Sequence, residues 1–444
     1  MVDLDPSPIF FLTAKTREGT RRNKAIKKHL YKKFLGIQNP FYKKGFGRRR
    51  QKLMVDFGRF GTRQVFVFIS FLFVFSQLLI FPASQLPSFR VSSCTFVAKI
   101  AVHTTMDLTC RELNCIMTRR SVMQNITDIV RQEVLAAEKR IRAHIFETPL
   151  VHSPLLSRIG HANVFFKCEN MQITNAFKLR GAMNKILCLE ETEKKKGVTT
   201  ASTGNHGSAA AYVLNKFNIK GSIFLPENAA ASKIEIIRAY GADLRFYGDD
   251  CLKAELKAKE EANKHGMVYI SPYNDMKIIG GQGTIGVELM RQNDKIDTVL
   301  CPVGGGGLIA GIAGFLKSVN KNIEIIGALP RNSPYMVEAV KAGKIVDVVA
   351  KPTIADGVEG GLEPGTITLD ICRECVDDYI LVSEDEIKEA LLMIIGKHFM
   401  LAEGAGALST AAFLKENKRF ANRNAALVIS GGKIGLEKLK EILC

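Results

Sequence analysis

Four short segments of the 444-residue chain combine chemically capable residues with the spacing to use them. In Cys301-Pro302-Val303-Gly304-Gly305-Gly306-Gly307-Leu308, four glycines follow an apolar run and open a helical one. Such a loop reaches positive φ and turns successive amide N–H groups toward one anion, with the helix dipole behind them. It has neither the Lys-Ser/Thr of a nucleoside-triphosphate loop nor the spacing of a dinucleotide fingerprint, which leaves a phosphate cradle or a plain glycine-rich turn. Lys178 follows a strand and a loop and starts a helix beside Phe177. Desolvation and the positive helix end there would lower its pKa and free the amine for Schiff-base chemistry; a solvent-facing lysine is the alternative. Ser202-Thr203-Gly204-Asn205-His206-Gly207 offers small hydroxyls, an amide and free backbone N–H groups, which suit a carboxylate or simply cap a helix. Ser430, before Gly431 and Gly432, could donate to a ring nitrogen or serve as a turn residue.

These segments need elements to position them, and the pattern supplies short apolar runs alternating with amphipathic stretches. The expected strands are Asn163–Lys167, Val198–Ser202, Gly221–Leu225, Asp243–Tyr247, Val268–Ser271, Thr298–Pro302, Glu324–Ala328 and Ala426–Ser430. The expected helices include Lys178–Glu191, Gly207–Phe217, Ala230–Tyr240, Leu252–Lys264 and Glu384–Phe399. Alternation of this kind predicts an open, mostly parallel α/β sheet with right-handed crossovers. Ligands of such sheets gather at the carboxyl ends of strands, where all four motifs fall.

Charge is distributed unevenly. The net charge is +18, yet residues 1–63 hold 17 Lys/Arg against 4 Asp/Glu, while from Met123 onward the counts are 40 and 38. The body is nearly neutral, so nucleic-acid binding does not follow from the total. Val65 to Ala83 is a run of nineteen residues without a charge, long enough to span a bilayer. A transmembrane segment and a dispensable leader both fit residues 1–122, and Met106, Met117 and Met123 precede the enzyme-like body. The basic stretch Arg21 to Arg63 reads as a solvated arm or a site for phosphates and anionic lipid. Ten scattered cysteines, with a single CxxC at Cys372 and Cys375, suggest reduced buried thiols and a cytoplasmic catalytic body, membrane-anchored if 65–83 spans.

Together and in this order, the four motifs resemble the fold type II pyridoxal-phosphate enzymes, most closely the serine/threonine dehydratase (threonine ammonia-lyase) and serine racemase branch. The attachment pattern is matched by Glu169, Thr174, Ala176, Phe177, Lys178, Leu179, Arg180, Gly181 and Ala182. The resemblance runs from about Ile126 to Gly435, takes in Glu359-Gly360-Gly361 and Ala402-Glu403-Gly404-Ala405-Gly406, and covers none of the first 122 residues. It implies two open twisted α/β domains of the tryptophan synthase β-like class: a large cofactor-binding one from 123–197 and 275–444, and a small one from 198–274. It implies that Lys178 carries pyridoxal 5'-phosphate, with Phe177 near the ring and Asn205 bonded to its phenolic oxygen. Gly304, Gly305, Gly306, Gly307 and the Leu308 amide would hold the phosphate, and Ser430 would face the pyridine nitrogen. Ser202, Thr203, Gly204, Asn205 and His206 would bind the substrate carboxylate.

The implied activity is α,β-elimination from L-threonine or L-serine, giving 2-oxobutanoate or pyruvate plus ammonia, with Lys178 as the base for the Cα proton. A neutral serine at the ring nitrogen makes a weaker electron sink than a carboxylate partner would, which favours elimination over transamination. Alternatives on the same fold are serine racemisation, β-replacement and dehydration of another hydroxylated amino acid, such as 3-hydroxyaspartate or a hydroxyectoine-derived compound. A non-catalytic membrane-tethered protein is the alternative of another class, and a homodimer is expected. The chain departs from the family pattern at three places. Thr203 stands where the racemases place a serine as second base. Leu329-Pro330-Arg331-Asn332-Ser333-Pro334-Tyr335 lacks the carboxylates of metal-dependent relatives, so no divalent metal is expected. Lys433 stands where asparagine is usual. With nine residues after Gly435, the catabolic type without a regulatory domain is the nearer match.

Overall fold

The computed structural model describes residues 125–229 and 231–443, so the basic segment 1–63 and the apolar run 65–83 lie outside the described residues. Within them the elements follow in order: α1 (125–141), β1 (Leu150–His152), α2 (Pro154–Gly160), β2 (Asn163–Cys168), α3 (Lys178–Leu187), α4 (Glu191–Lys196), β3 (Val198–Ala201), α5 (Asn205–Lys216), β4 (Gly221–Leu225), α6 (Ala231–Ala239), β5 (Asp243–Phe246), α7 (Cys251–His265), β6 (Val268–Tyr269) and α8 (Met276–Gln292). The second half continues with β7 (Thr298–Pro302), α9 (Gly307–Val319), β8 (Glu324–Pro330), α10 (Tyr335–Ala342), α11 (Thr368–Cys375), β9 (Asp378–Val382), α12 (Glu384–His398), α13 (Gly404–Lys415), β10 (Asn424–Ile429) and α14 (Leu436–Leu443).

These form two sheets. One has six strands in the order β1-β2-β10-β7-β8-β9, and the other has four in the order β5-β4-β3-β6. Every pairing is parallel except β1 with β2. The six-stranded sheet is covered on both faces, and alternate residues of one strand enter different cores. Val299, Cys301, Ala426 and Val428 join the layer with α8 and α9, whereas Leu300, Leu427 and Ile429 join the layer with α12 and α13. The helix α13 reads Gly404-Ala405-Gly406-Ala407-Leu408-Ser409-Thr410-Ala411-Ala412-Phe413, all buried, and its small side chains let it press close to the sheet. Around the four-stranded sheet, Leu179, Met183 and Ile186 of α3 pack with Val198, Val213 and Ile270. The helix carrying Lys178 therefore belongs to the core of the smaller sheet, although it precedes that sheet in the chain.

The structure differs from the sequence expectation in two ways. The expected Lys178–Glu191 helix stops at Leu187, and a separate α4 restarts behind a capping box of Glu190 and Glu193. Two strands carried no clear pattern. β1 is three residues long, and β9 exposes Asp378 at its start and only partly buries Tyr379 and Leu381, which breaks the continuous apolar run of a central strand. Cys372 and Cys375 are buried on α11 as free thiols, as is Cys301 beneath them in the same core. Among the described residues, no helix is long and apolar enough to cross a membrane.

Candidate functional site

Helix starts divide into two kinds in this molecule. Asp250, Asp275 and Ser383 cap α7, α8 and α12 with side-chain acceptors, spending the free N–H groups of the first turn. α3, α5 and α9 begin instead at Phe177, Gly204 and Gly306, none of which makes a side-chain cap bond. Each of these three follows the carboxyl end of a strand, and each carries a motif singled out from the sequence.

The loop from β7 into α9 turns at Gly306, whose φ of 83° is left-handed and suits glycine. A Cβ on Gly305 would sit 2.5 Å from the Tyr273 ring, so the loop is pressed against the segment leaving β6. The Gly305 carbonyl accepts from Thr368 Oγ1 at 2.7 Å, which fixes the peptide from behind. From the same β6 segment, the Pro272 carbonyl accepts a hydrogen bond from Lys178 Nζ at 2.8 Å. Lys178 is half-buried, its amine lies 5.2 Å from the Phe177 ring centroid, and burial lowers it to about 8 against the opposing pull of Glu403. Burial and not a neighbouring cation is the main cause, and the solvent-facing alternative is set aside.

The chain reaches Lys178 through a left-handed Asn175 (φ 57°) and an isolated bridge between Ala176 and Gly431. Phe177 N–H donates to the Ser430 carbonyl at 3.1 Å and Gly432 N–H to the Asn175 carbonyl at 2.9 Å. The lysine loop and the Ser430 turn are thus stitched together, and Ser430 is buried. Two residues past Lys178, the fully buried Arg180 grips Glu169 at 2.8 Å through both Nε and Nη2, and Glu288 at 2.7 Å through Nη1.

At the β3–α5 turn, Ser202 Oγ accepts from the Gly204 N–H at 3.2 Å. The His206 side chain points inward, its Nε2 3.1 Å from the Ile270 carbonyl, and burial lowers it to about 3, so the imidazole is neutral. Only the backbone N–H of His206 therefore remains for an anion at this turn. Asn205 Nδ2 donates to Glu403 at 2.8 Å across the two sheets' territories, while Asn205 Oδ1 is buried without a partner.

Sequence reasoning missed two contributors. A strand was expected at Val268–Ser271, and it is Val268–Tyr269 in the structure, but Pro272 and Tyr273 beyond it carry no motif that marks them for a site. Glu403 stood within the family motif with no role assigned to it. The available signal was a lone carboxylate directly before a run of small buried residues.

Comparisons with known proteins match this arrangement. Residues 141–431 fit the family described as pyridoxal-phosphate dependent enzyme. The chain is 38% identical over 312 residues to the catabolic L-threonine dehydratase of Escherichia coli, covering 70% of this chain and 94% of that one. Among solved structures, the processed form of threonine deaminase isoform 2 from Solanum lycopersicum superposes with a TM-score of 0.68 at 34% identity, covering 71% of this chain and 92% of that one. Maize serine racemase superposes with a TM-score of 0.67 at 34% identity, covering 70% and 96%.

Proposed function

The chain belongs to the pyridoxal-phosphate-dependent enzymes, in their serine/threonine dehydratase branch, and from that premise we propose that it is an ammonia-lyase acting on L-threonine or L-serine. The observation that carries the proposal is a half-buried lysine whose amine is lowered to about 8 and is held by Pro272, next in the chain to the Tyr273 ring that packs on an uncapped glycine nest.

The residues present suit the cofactor. A Cβ at Gly304, Gly305, Gly306 or Gly307 would run into Val358, Tyr273 or Met336, so the nest keeps backbone N–H groups and no side chains for a phosphate. Asn205 Nδ2 gives one hydrogen to Glu403 and keeps a second, which suits an oxygen acceptor such as the cofactor's. In this reading Lys178 bonds the aldehyde carbon, Phe177 packs by the ring, and Asn205 and Ser430 meet its oxygen and nitrogen. The phosphate rests on Gly304, Gly305, Gly306, Gly307 and the Leu308 N–H. The expected division into 123–197 with 275–444 and a small domain 198–274 needs one adjustment in this reading: α3, although it precedes residue 198, packs into the core of the small domain. Pyridoxal phosphate, when bound, supplies the electron sink that acidifies the substrate Cα–H bond.

The protein groups do the rest. The Ser202 hydroxyl, which accepts from the Gly204 N–H and keeps its own hydrogen, and the backbone N–H groups of Thr203, Asn205 and His206 at the positive end of α5 would take the substrate carboxylate. That orients the Cα–H bond toward Lys178, whose lowered pKa leaves about a tenth of the amine neutral at pH 7, far more than an ordinary lysine, to accept the proton at Nζ. Cleavage of the Cβ–O bond releases water, and a second water is taken up as ammonia leaves, giving 2-oxobutanoate from threonine or pyruvate from serine.

Purified protein incubated with L-threonine or L-serine is expected to release the matching 2-oxo acid, and Lys178→Ala to lower the rate by at least about a thousandfold. The visible absorbance of the protein should vanish with it. No keto acid from either substrate, in protein that does hold the cofactor, removes the ammonia-lyase assignment.

A further inference from the structure

Glu403 precedes α13 and is 5% exposed. Its carboxylate accepts from Asn205 Nδ2 at 2.8 Å. Its own N–H donates to the Gly431 carbonyl at 3.1 Å, fixing it to the turn that follows β10. Lys433 Nζ is buried without a hydrogen-bond acceptor, 5.9 Å from the Tyr240 ring centroid on the small-sheet side. Asn205 thus presents its donor end to a carboxylate and leaves its acceptor end empty.

An ionised carboxylate can only accept, so it selects the Asn205 orientation with Nδ2 toward it; a protonated one can also donate, and that selection is lost. We propose that Glu403 is a positioning residue for Asn205, and that its carboxylate, when ionised, keeps the second Asn205 N–H turned toward the ring oxygen of the cofactor, with the Lys433 charge favouring that ionised form. This rests on the reading of the site as a pyridoxal-phosphate site. Glu403 also faces Asp356 from the short 3-10 turn before the Glu359 loop and Lys178 from α3. Burial raises the Glu403 carboxyl to about 7, Asp356 adds to the rise, and Asn205 and Lys433 oppose it. Burial lowers the Lys433 amine to about 8 against the pull of Glu403. The orientation is therefore set above about pH 7 and released below it.

The full-length chain tests this in two arms. In cofactor-free protein, Glu403 has a folded pKa near 7 against an ordinary value of 4.5, so its contribution to stability is present below pH 4.5 and lost as pH rises through 7. The melting temperature of the wild type should fall relative to Glu403→Gln across that window; parallel profiles would overturn the inference and leave the functional reading intact. In protein reconstituted with pyridoxal phosphate, the visible band should show a step near pH 7. Glu403→Gln, which still accepts from Asn205 but cannot ionise, should lose the step. Lys433→Met should move it upward by about one pH unit, because a charge favouring the carboxylate is gone. A step that is missing in the wild type, or unmoved in Glu403→Gln, sinks the positioning role. Wild-type protein that takes up no pyridoxal phosphate sinks the functional reading and the positioning role with it.

Discussion

Two buried groups of charges flank Lys178 and are built on opposite terms. On one side Arg180, Lys167, Glu169 and Glu288 are all fully buried, and each is matched. Thr148 donates to Glu169 and Glu288, and Lys167 also reaches the Thr148 carbonyl and Gln292. On the other side Glu403, Asn205 and Lys433 leave an amide oxygen and an amine without partners. A buried polar group without a partner costs about 1–3 kcal/mol, so a fold keeps one chiefly where a ligand will use it. The contrast separates a fully matched scaffold that holds the lysine helix from a cluster whose polar atoms are matched only in part.

The two carboxylates respond to their settings in opposite directions. Burial alone would raise Glu288, but Arg180 and Lys167 overrule it and hold the carboxyl down at about 2. Burial prevails at Glu403, where the neighbours are weaker, and the carboxyl rises to about 7.

The largest effect that could break this comparison is Arg180→Met. It strips Glu169 of its counter-charge and should cost about 3–5 kcal/mol in denaturant unfolding. A cost under about 1 kcal/mol would show that the network is not holding α3. Next comes acid. Glu288, with a folded value of about 2 below the ordinary 4.5, gives stability that is present above pH 4.5 and lost as pH falls toward 2. The wild type should therefore lose on the order of 2–3 kcal/mol more than Glu288→Gln between pH 5 and pH 2.5. Equal losses would mean that the guanidinium does not hold the carboxyl down. The smallest effect, about 1 kcal/mol in thermal unfolding, is expected for Tyr273→Phe, which removes the hydroxyl that accepts the Glu363 N–H at 2.8 Å but keeps the ring against Gly305. A larger loss of cofactor retention than of stability would mean that the hydroxyl itself belongs to the site.

Eight of the ten strands were legible: β2, β3, β4, β7, β8 and β10 are largely buried and read as apolar runs, whereas the exposed β5 and the two-residue β6 were found through their place in the strand–helix alternation. β1 and β9 were not, since an antiparallel edge strand of three residues and a half-exposed edge strand lack that pattern. The glycine nest and Lys178 were legible because their chemistry is local: four glycines before a helix and a lysine at a helix start mean much the same thing in any fold that buries them. The direction of the His206 ring was not legible, because its place in the motif says nothing about which way the side chain turns.

By itself the sequence determined the alternation of most strands and helices and put the glycine loop and Lys178 at helix starts, since each depends on neighbours within a few residues. Only the tertiary structure decided which charges meet. Arg180 and Glu288 are 108 residues apart, Asn205 and Glu403 are 198 apart, and Lys178 finds the Pro272 carbonyl across 94. Protonation states follow from these encounters, because the cost of desolvation is set by everything that surrounds a group and the Coulomb term by which partner the fold brings close.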